Sequence, residues 1–155
     1  MATSREALKI FGQPGGPNEG SYMSIWTVPE EIQKAFSHVK FSALGTIGFP
    51  KKIYANDRLI PLLNKALNNV IERGFAKELK TWDGCYIVRN KRTNSSYSMH
   101  SWGLAIDINA FENRQGQLPK ISAQFASCFI DAGFTWGGLW SGKSVDGMHF
   151  EITKL

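Results

Sequence analysis

Apolar side chains recur at intervals of three and four along residues 57–73, and this periodicity predicts an amphipathic helix. Gly74 follows the last apolar position and is typical of a helix end. Pro61 falls in the first turn if Asn56 or Asp57 is the N-cap, where proline is tolerated because the first amide groups of a helix have no internal partner. This segment is the clearest helix in the chain.

The other elements that the pattern predicts are shorter. Pro29 precedes one helical segment, Ser122 and Gly133 bracket another, and short apolar or alternating runs indicate strands. These elements are helices over residues 29–36 and 123–132 and strands over residues 85–89, 104–109, 134–136 and 148–152. Helices precede and interrupt the strands without regular β-α-β units, so we expect an α+β fold with a small, mostly antiparallel sheet packed by helices.

The chain has 155 residues, of which 43% are hydrophobic and 20% charged, as is typical of a globular protein. We expect one catalytic domain over residues 1–155, acting as a monomer. Residues 12–24 are rich in Gly, Pro and Ser, so residues 1–28 are expected to be loop-rich. Cys85 and Cys128 lie far apart among apolar neighbours, and we expect them to be buried free thiols.

The formal charge is +5, and the basic residues are spread along the chain. Such a charge favours anionic polymers, but no basic helix or aromatic RNA-binding pattern is present, so nucleic acid is not an expected partner. No run reaches the roughly 18 apolar residues of a transmembrane helix, so we expect no membrane insertion. The N-terminal stretch lacks the apolar core of a secretory signal, and we expect synthesis in the cytoplasm without a signal peptide.

Three residues of the kinds that bind metals lie near the predicted strands. His100 precedes the strand over residues 104–109, Asp107 lies within it, and His149 lies in the last strand. Because side chains alternate along a strand, Asp107 and His149 can project from the polar face of one sheet. Catalytic zinc sites typically use three His or carboxylate ligands, so these residues form a candidate metal site, although each alone is more often structural. The remaining histidine, His38, is expected to be structural or on the surface.

A hydrolytic metal site also needs a general base. Asp146 lies three residues before His149, and a turn at Gly147 is required to bring the two side chains to the same place. Glu151 is the competing candidate, since strand alternation puts it on the same face as His149. We prefer Asp146 as the base and expect Glu151 to hold an imidazole or an arginine.

Two motifs carry a family resemblance. SMHSWGLAID (residues 98–107) follows the pattern SxHxxGxAxD, and DGMHFE (residues 146–151) has an acid three residues before a histidine that an aromatic residue and Glu follow. Together they resemble peptidase family M15, the zinc D-Ala-D-Ala carboxypeptidases and L-alanyl-D-glutamate peptidases. TWDGCYIVR (residues 81–89) and FTWGG (residues 134–138) are also similar to that family, and the resemblance covers residues 55–152. It implies the hedgehog-like fold of these peptidases.

The resemblance also implies a role for each matching residue. The zinc ligands correspond to His100, Asp107 and His149. Asp146 stands where the family has its catalytic acid/base, which is more often Glu. Arg89 corresponds to an arginine that binds the substrate carbonyl and stabilises the oxyanion, and Ser98 to a serine that hydrogen-bonds the substrate.

Three tryptophans lie close to these motifs. Trp102, Trp136 and Trp140 are candidates for lining the substrate groove. For Trp136 we favour packing in the core, whereas Trp140 is expected to bind substrate.

The resemblance implies an enzyme that cleaves peptidoglycan stem peptides. TWDGCYIVR and the single-domain size are most similar to bacteriophage endolysins that cut between L-Ala and D-Glu, which would act on the cell wall after release from the host cytoplasm. A D-alanyl-D-alanine carboxypeptidase would share the same residues and remains an alternative. A non-catalytic, zinc-stabilised wall-binding module is a further alternative.

Overall fold

The computed structural model describes residues 2–92 and 96–155, which form helices, short strands and connecting turns. The α-helices of the described residues are α1 (Ser4–Phe11), α2 (Glu30–Ala35), α3 (Ile60–Glu72) and α4 (Ala123–Ile130). The strands are β1 (Met23–Thr27), β2 (Lys40–Phe41), β3 (Thr46–Ile47), β4 (Lys52–Asn56), β5 (Thr81–Gly84), β6 (Ala105–Ile108), β7 (Phe134–Trp136) and β8 (His149–Ile152).

Six of these strands form one sheet in the order β3-β2-β5-β6-β8-β7. All neighbours in it are antiparallel except β2 and β5, which run parallel. Strands β1 and β4 form a separate antiparallel pair. The structure therefore confirms the α+β class and the mostly antiparallel sheet, and it adds the β1–β4 pair, β2 and β3 to the predicted elements.

The two faces of the six-stranded sheet differ in character. One face packs against α3 and α4 in the main hydrophobic core, which includes Trp82, Ile106, Ile108, Phe150, Leu63, Leu67, Phe125 and Phe129. The opposite face carries polar residues at paired positions: Lys40 pairs with Thr81, and Asp107 pairs with His149. Strand alternation thus buries the apolar residues under the helices and leaves a polar row across β2, β5, β6 and β8.

Two predicted boundaries are wrong. Helix α3 begins at Ile60 with Leu59 in the cap position, whereas the expected cap Asn56 instead accepts a hydrogen bond from the amide of Arg58. Residues 85–89, which were expected to form a strand, are irregular. The observed strand, β5, ends just before them. Pairing with a distant segment determines where the strand lies, because Trp82 and Gly84 of β5 pair with β6.

The first 28 residues contain more regular structure than expected. Residues 12–22 are turns and loops, but α1 precedes them and β1 follows. Thr3 caps α1 by accepting a hydrogen bond from the amide of Glu6, and Ala7 is buried. Among the described helices, none combines the length and apolar character needed to cross a lipid bilayer.

Candidate metal centre

A short 3-10 turn, Met99–Trp102, positions His100 at the edge of the polar row. The Ser98 hydroxyl caps this turn by accepting a hydrogen bond from the amide of His100. Gly103 ends the turn in the left-handed conformation, with φ of 66°, and leads directly into β6. The glycine is required here because a Cβ atom would lie 2.8 Å from the backbone nitrogen of Asn56.

His100, Asp107 and His149 come together in the structure. Their candidate ligand atoms all lie within 4.8 Å of one another. Nε2 of His100 is 3.1 Å from Oδ2 of Asp107, and Nδ1 of His149 is 3.3 Å from Oδ1 of the same carboxylate. The sequence prediction that these three side chains meet is therefore confirmed as geometry, while their role as ligands stays a prediction.

Each imidazole is held by its other ring nitrogen. Nδ1 of His100 lies 2.5 Å from the carbonyl oxygen of Cys85, so it donates to that oxygen and directs the lone pair of Nε2 towards Asp107. Nε2 of His149 lies 2.8 Å from Oε1 of Glu151, which leaves Nδ1 facing Asp107. Such outer partners fix the ring orientation of metal-binding histidines. Glu151 thus has the imidazole-holding position expected for it.

The donor set fits a divalent metal ion. Nε2 of His100 and Oδ1 of Asp107 are buried and have no hydrogen-bond partner among the described residues, although buried polar atoms normally have one. Two imidazole nitrogens and a carboxylate oxygen are ligands that zinc accepts, with a further position left for water. An ion held by these three residues would satisfy both orphaned atoms.

The charges of the cluster agree with this interpretation. Burial tends to raise the pKa of Asp107, but the adjacent imidazoles of His100 and His149 hold it well below its ordinary value. Burial tends to lower the pKa of His149, but Asp107 and Glu151 raise it to about 10. Without a metal, the carboxylates therefore hold a proton on His149, and a metal ion would replace that proton.

Asp146 reaches the site through the turn that the sequence predicted. The amide of His149 donates to the carbonyl oxygen of Asp146, which closes the turn, and both side chains line one cleft. The Asp146 side chain is buried, and its Oδ1 has no hydrogen-bond partner among the described residues. Burial raises the pKa of Asp146 to about 6, despite the lowering effect of His149. A carboxylate with this pKa is suited to general-base chemistry near neutral pH.

Arg89 and Ser98 line the same cleft as Asp146. Arg89 is half-buried in an irregular segment that the Ser101 hydroxyl anchors at both the amide and the carbonyl of Arg89. Burial lowers the pKa of Arg89, and the charges of Asp107 and Asp146 act against this shift. The structure thus brings the expected oxyanion-binding and substrate-binding residues to the cleft, and their roles remain predictions.

The three tryptophans have different surroundings. Trp140 is partly exposed, lines the cleft and has its ring 5.5 Å from that of His149. Trp136 is buried in the core, as favoured, and donates to the carbonyl oxygen of Gly147. The prediction that Trp102 lines the substrate groove is wrong, because its side chain is completely buried. Its indole donates a hydrogen bond to the carbonyl oxygen of Gly12. Its indole anchors the N-terminal segment against the turn that carries His100.

The two cysteines and His38 behave as predicted. Cys85 and Cys128 are buried free thiols. Burial raises the pKa of Cys85 to about 12, so its thiol stays protonated at neutral pH. Nε2 of His38 lies 3.0 Å from the carbonyl oxygens of Ala76 and Leu79, far from the cluster in the fold.

Two clefts border the His-Asp-His cluster. The first has a volume of about 310 Å³, lies on the β8 side, and is lined by Arg89, Ser98, Trp140, Asp146, His149 and Glu151 among others. The second has a volume of about 680 Å³ and lies on the β2–β5 side, where Lys40, Asp83, Arg92, Asp107, Phe111 and Arg114 line it. Asp107 and His149 pair across β6 and β8, and Arg92 lines both clefts. The cluster thus borders one cleft through His149 and the other through Asp107.

The second cleft contains residues that the sequence did not point to. Lys40 reaches it because β2 pairs in parallel with β5, a contact between distant segments that no local pattern indicates. Arg114 follows a short 3-10 turn, Ala110–Glu112, after β6. The signal that was available is Asp83 in the TWDG stretch, which alternates with the buried Trp82 and therefore faces the polar side.

A family model described as D-alanyl-D-alanine carboxypeptidase, of peptidase family M15, matches residues 91–152. The matched range contains the three clustered residues and Asp146, but it begins after Arg89. No curated protein and no solved structure matches the chain. The chain is thus similar to these peptidases over residues 91–152, and the His-Asp-His cluster lies within the matched range.

Proposed function

We propose that this protein is a zinc-dependent peptidoglycan endopeptidase that cleaves the bond between L-Ala and D-Glu of stem peptides, as a bacteriophage endolysin does. The observation that carries the proposal is the position of the His-Asp-His cluster between two clefts, one lined by His149 and the other by Asp107. An endopeptidase needs room for its substrate before and after the scissile bond. A cluster between two clefts meets that need.

Zinc, when bound, polarises a peptide carbonyl and lowers the pKa of water, which makes hydrolysis possible at neutral pH. His100, Asp107 and His149 would hold the ion, and Glu151 would keep His149 oriented. Asp146 takes the proton from the attacking water and then gives it to the leaving amine. Arg89 donates hydrogen bonds to the carbonyl oxygen as negative charge develops on it. Ser98 and Trp140 line the first cleft and contact the peptide there.

A carboxypeptidase that releases the terminal D-Ala is the second candidate, because the matching family model carries that description. Such an enzyme needs only a short subsite after the scissile bond. The larger second cleft favours the endopeptidase. A wall-binding module without activity is less well supported, because Asp146 has the pKa and the position of a general base.

The biological setting follows from this activity as part of the same proposal. The substrate is the stem peptide of the cell wall, and the protein acts as a monomer after leaving the cytoplasm in which it is made. Neither nucleic acid nor membrane insertion has a role in this account.

Digestion of purified peptidoglycan tests the proposal. The protein should release fragments with new D-Glu amino termini and L-Ala carboxyl termini, identified by mass spectrometry. A chelator should abolish the cleavage and added Zn2+ should restore it. Release of free D-Ala instead would support the carboxypeptidase. Unchanged peptidoglycan, still bound by the protein, would support the wall-binding module and contradict a peptidase.

A further inference from the structure

We propose that the second cleft is a subsite for a carboxylate of the substrate, bound by Lys40 and Arg114, and that it makes the enzyme selective for D-Glu with a free α-carboxylate. This inference rests on the proposed function and adds a specificity determinant to it. The cleft begins at Asp107 and extends over β5 to β2, away from Asp146.

The cleft contains cations that no carboxylate neutralises. Lys40, Arg92 and Arg114 line it, and none of them forms an ion pair with a residue in the ranges 2–92 and 96–155. The nearby Lys80 differs, because its Nζ lies 3.1 Å from Oε2 of Glu112. Unpaired cations at the side of a groove are suited to hold an anionic group of a ligand.

Among the described residues that line this cleft, one carboxylate besides Asp107 is present, that of Asp83, and neutral donors occupy it. Oδ1 of Asp83 accepts a hydrogen bond of 2.6 Å from the Ser42 hydroxyl. Its Oδ2 accepts from the Thr81 hydroxyl at 2.6 Å and from the amide of Ala110 at 2.9 Å. Asp83 therefore connects β5 to the segments after β2 and β6, and it forms a fixed wall of the cleft with its oxygens saturated.

The backbone that carries Arg114 is held in place. The neighbouring Asn113 is 1% exposed, and its side chain bonds the carbonyl oxygen of Asn109 and the amides of Lys120 and Ile121. The carbonyl oxygen of Asn113 accepts from the amide of Met148, directly before His149. The backbone of Arg114 is thus anchored to the segment that supplies the candidate base and ligand, and its exposed side chain lines the cleft.

The first cleft is less suited to an anionic group. Arg89, Lys91 and Arg92 line it too, but its Asp146 carboxylate has no hydrogen-bond partner on Oδ1 among the described residues and would repel a substrate carboxylate. The two residues that flank an L-Ala–D-Glu bond differ in charge. L-Ala is uncharged, whereas D-Glu continues the chain through its γ-carboxyl and keeps its α-carboxylate free. The cationic second cleft therefore fits the D-Glu side of the scissile bond.

Two synthetic stem peptides test the subsite, one with the free α-carboxylate of D-Glu and one with an α-carboxamide. Wild-type protein with zinc should prefer the carboxylate about tenfold in kcat/KM. The double variant Lys40→Gln/Arg114→Gln should lose this preference, because it removes the two charges that favour the carboxylate. Each single variant should give an intermediate ratio. The matched control Lys80→Gln removes a cation that is paired and lies outside the cleft, and it should keep the wild-type ratio.

A binding measurement supplies a readout that does not need turnover. The Asp146→Asn protein should bind the carboxylate peptide more tightly than the carboxamide in calorimetry, and adding the two Gln substitutions should remove the difference. Equal cleavage of both peptides by wild type, or an unchanged preference in the double variant, would overturn the subsite and leave the proposed function standing. Wild-type protein that cleaves neither peptide would overturn the proposed function, and the subsite with it.

Discussion

At the residue scale, His149 combines two tasks through its two ring nitrogens. Nδ1 faces Asp107 and Nε2 faces Glu151, so one imidazole connects the candidate ligand set to an outer carboxylate. Asp146, three residues earlier, lies in the same cleft but has no hydrogen-bond partner on Oδ1 among the described residues. The two acids that competed as general base in the sequence therefore have different surroundings: Glu151 is engaged by an imidazole, and Asp146 is available to a substrate.

The variants Asp146→Asn and Glu151→Gln form a matched pair that separates these roles. Asp146→Asn should keep zinc but lose about 10²- to 10⁴-fold in kcat, because it removes the proton acceptor. Glu151→Gln should weaken zinc binding about 10- to 100-fold and have a near wild-type kcat at saturating zinc, because it loosens His149 without removing the base. Zinc titration and steady-state kinetics on both proteins measure this. A wild-type kcat in Asp146→Asn with a large loss in Glu151→Gln would move the base to Glu151.

The raised pKa of Asp146 gives a prediction for pH dependence. The base must be deprotonated, so activity should rise with pH through the pKa of Asp146, which burial raises to about 6. A bound divalent cation favours the charged carboxylate, so the acid limb of kcat/KM should lie at or below about pH 6. The profile is measured while metal retention is followed at each pH, since protonation of His149 also releases metal. Constant activity down to pH 4 with the metal retained would contradict Asp146 as the base.

At the element scale, local periodicity predicted the parts of the fold that local forces determine. Helices α3 and α4 and strand β6 lie where apolar spacing indicated, although only α4 has the predicted cap, Ser122. The prediction of a strand over residues 85–89 was wrong because the apolar residues there suggested burial, whereas Ile87 and Val88 are 53% and 42% exposed. Its amide groups bond the turn at residues 98–101 instead, for example from Ile87 to the carbonyl of His100. Contacts between distant segments decide such a case, and a single sequence does not contain them.

The turn before β6 gives a stability prediction. Gly103→Ala should lower the free energy of unfolding by about 2–4 kcal/mol, because the left-handed backbone is strained and the new Cβ would meet Met23 and the backbone of Asn56. Gly74→Ala is the matched control: its φ is also positive, but no atom lies within 4 Å of the added Cβ, so it should cost only about 1 kcal/mol. Urea denaturation compares the two. Equal losses of unfolding free energy in the two variants would show that the close packing at Gly103 does not contribute to stability.

At the scale of the whole molecule, the candidate site depends on the sheet more than on any single segment. Four strands supply the polar row, and the two clefts lie on either side of the Asp107–His149 pair. The sequence motifs predicted which side chains would meet at the cluster, since each motif is local. They did not predict the second cleft, because Lys40 and Arg114 come close to Asp107 only when β2 and the segment after β6 take their places in the fold.

The central claim is that one divalent ion, held by His100, Asp107 and His149, is needed for hydrolysis. The most direct test is a zinc titration of metal-stripped protein, with cleavage of peptidoglycan recorded at each step. Activity should start near zero, rise linearly and become constant at about one zinc per chain, with no such rise in His149→Ala. Full activity in the stripped protein, or a wild-type titration curve for His149→Ala, would contradict the account.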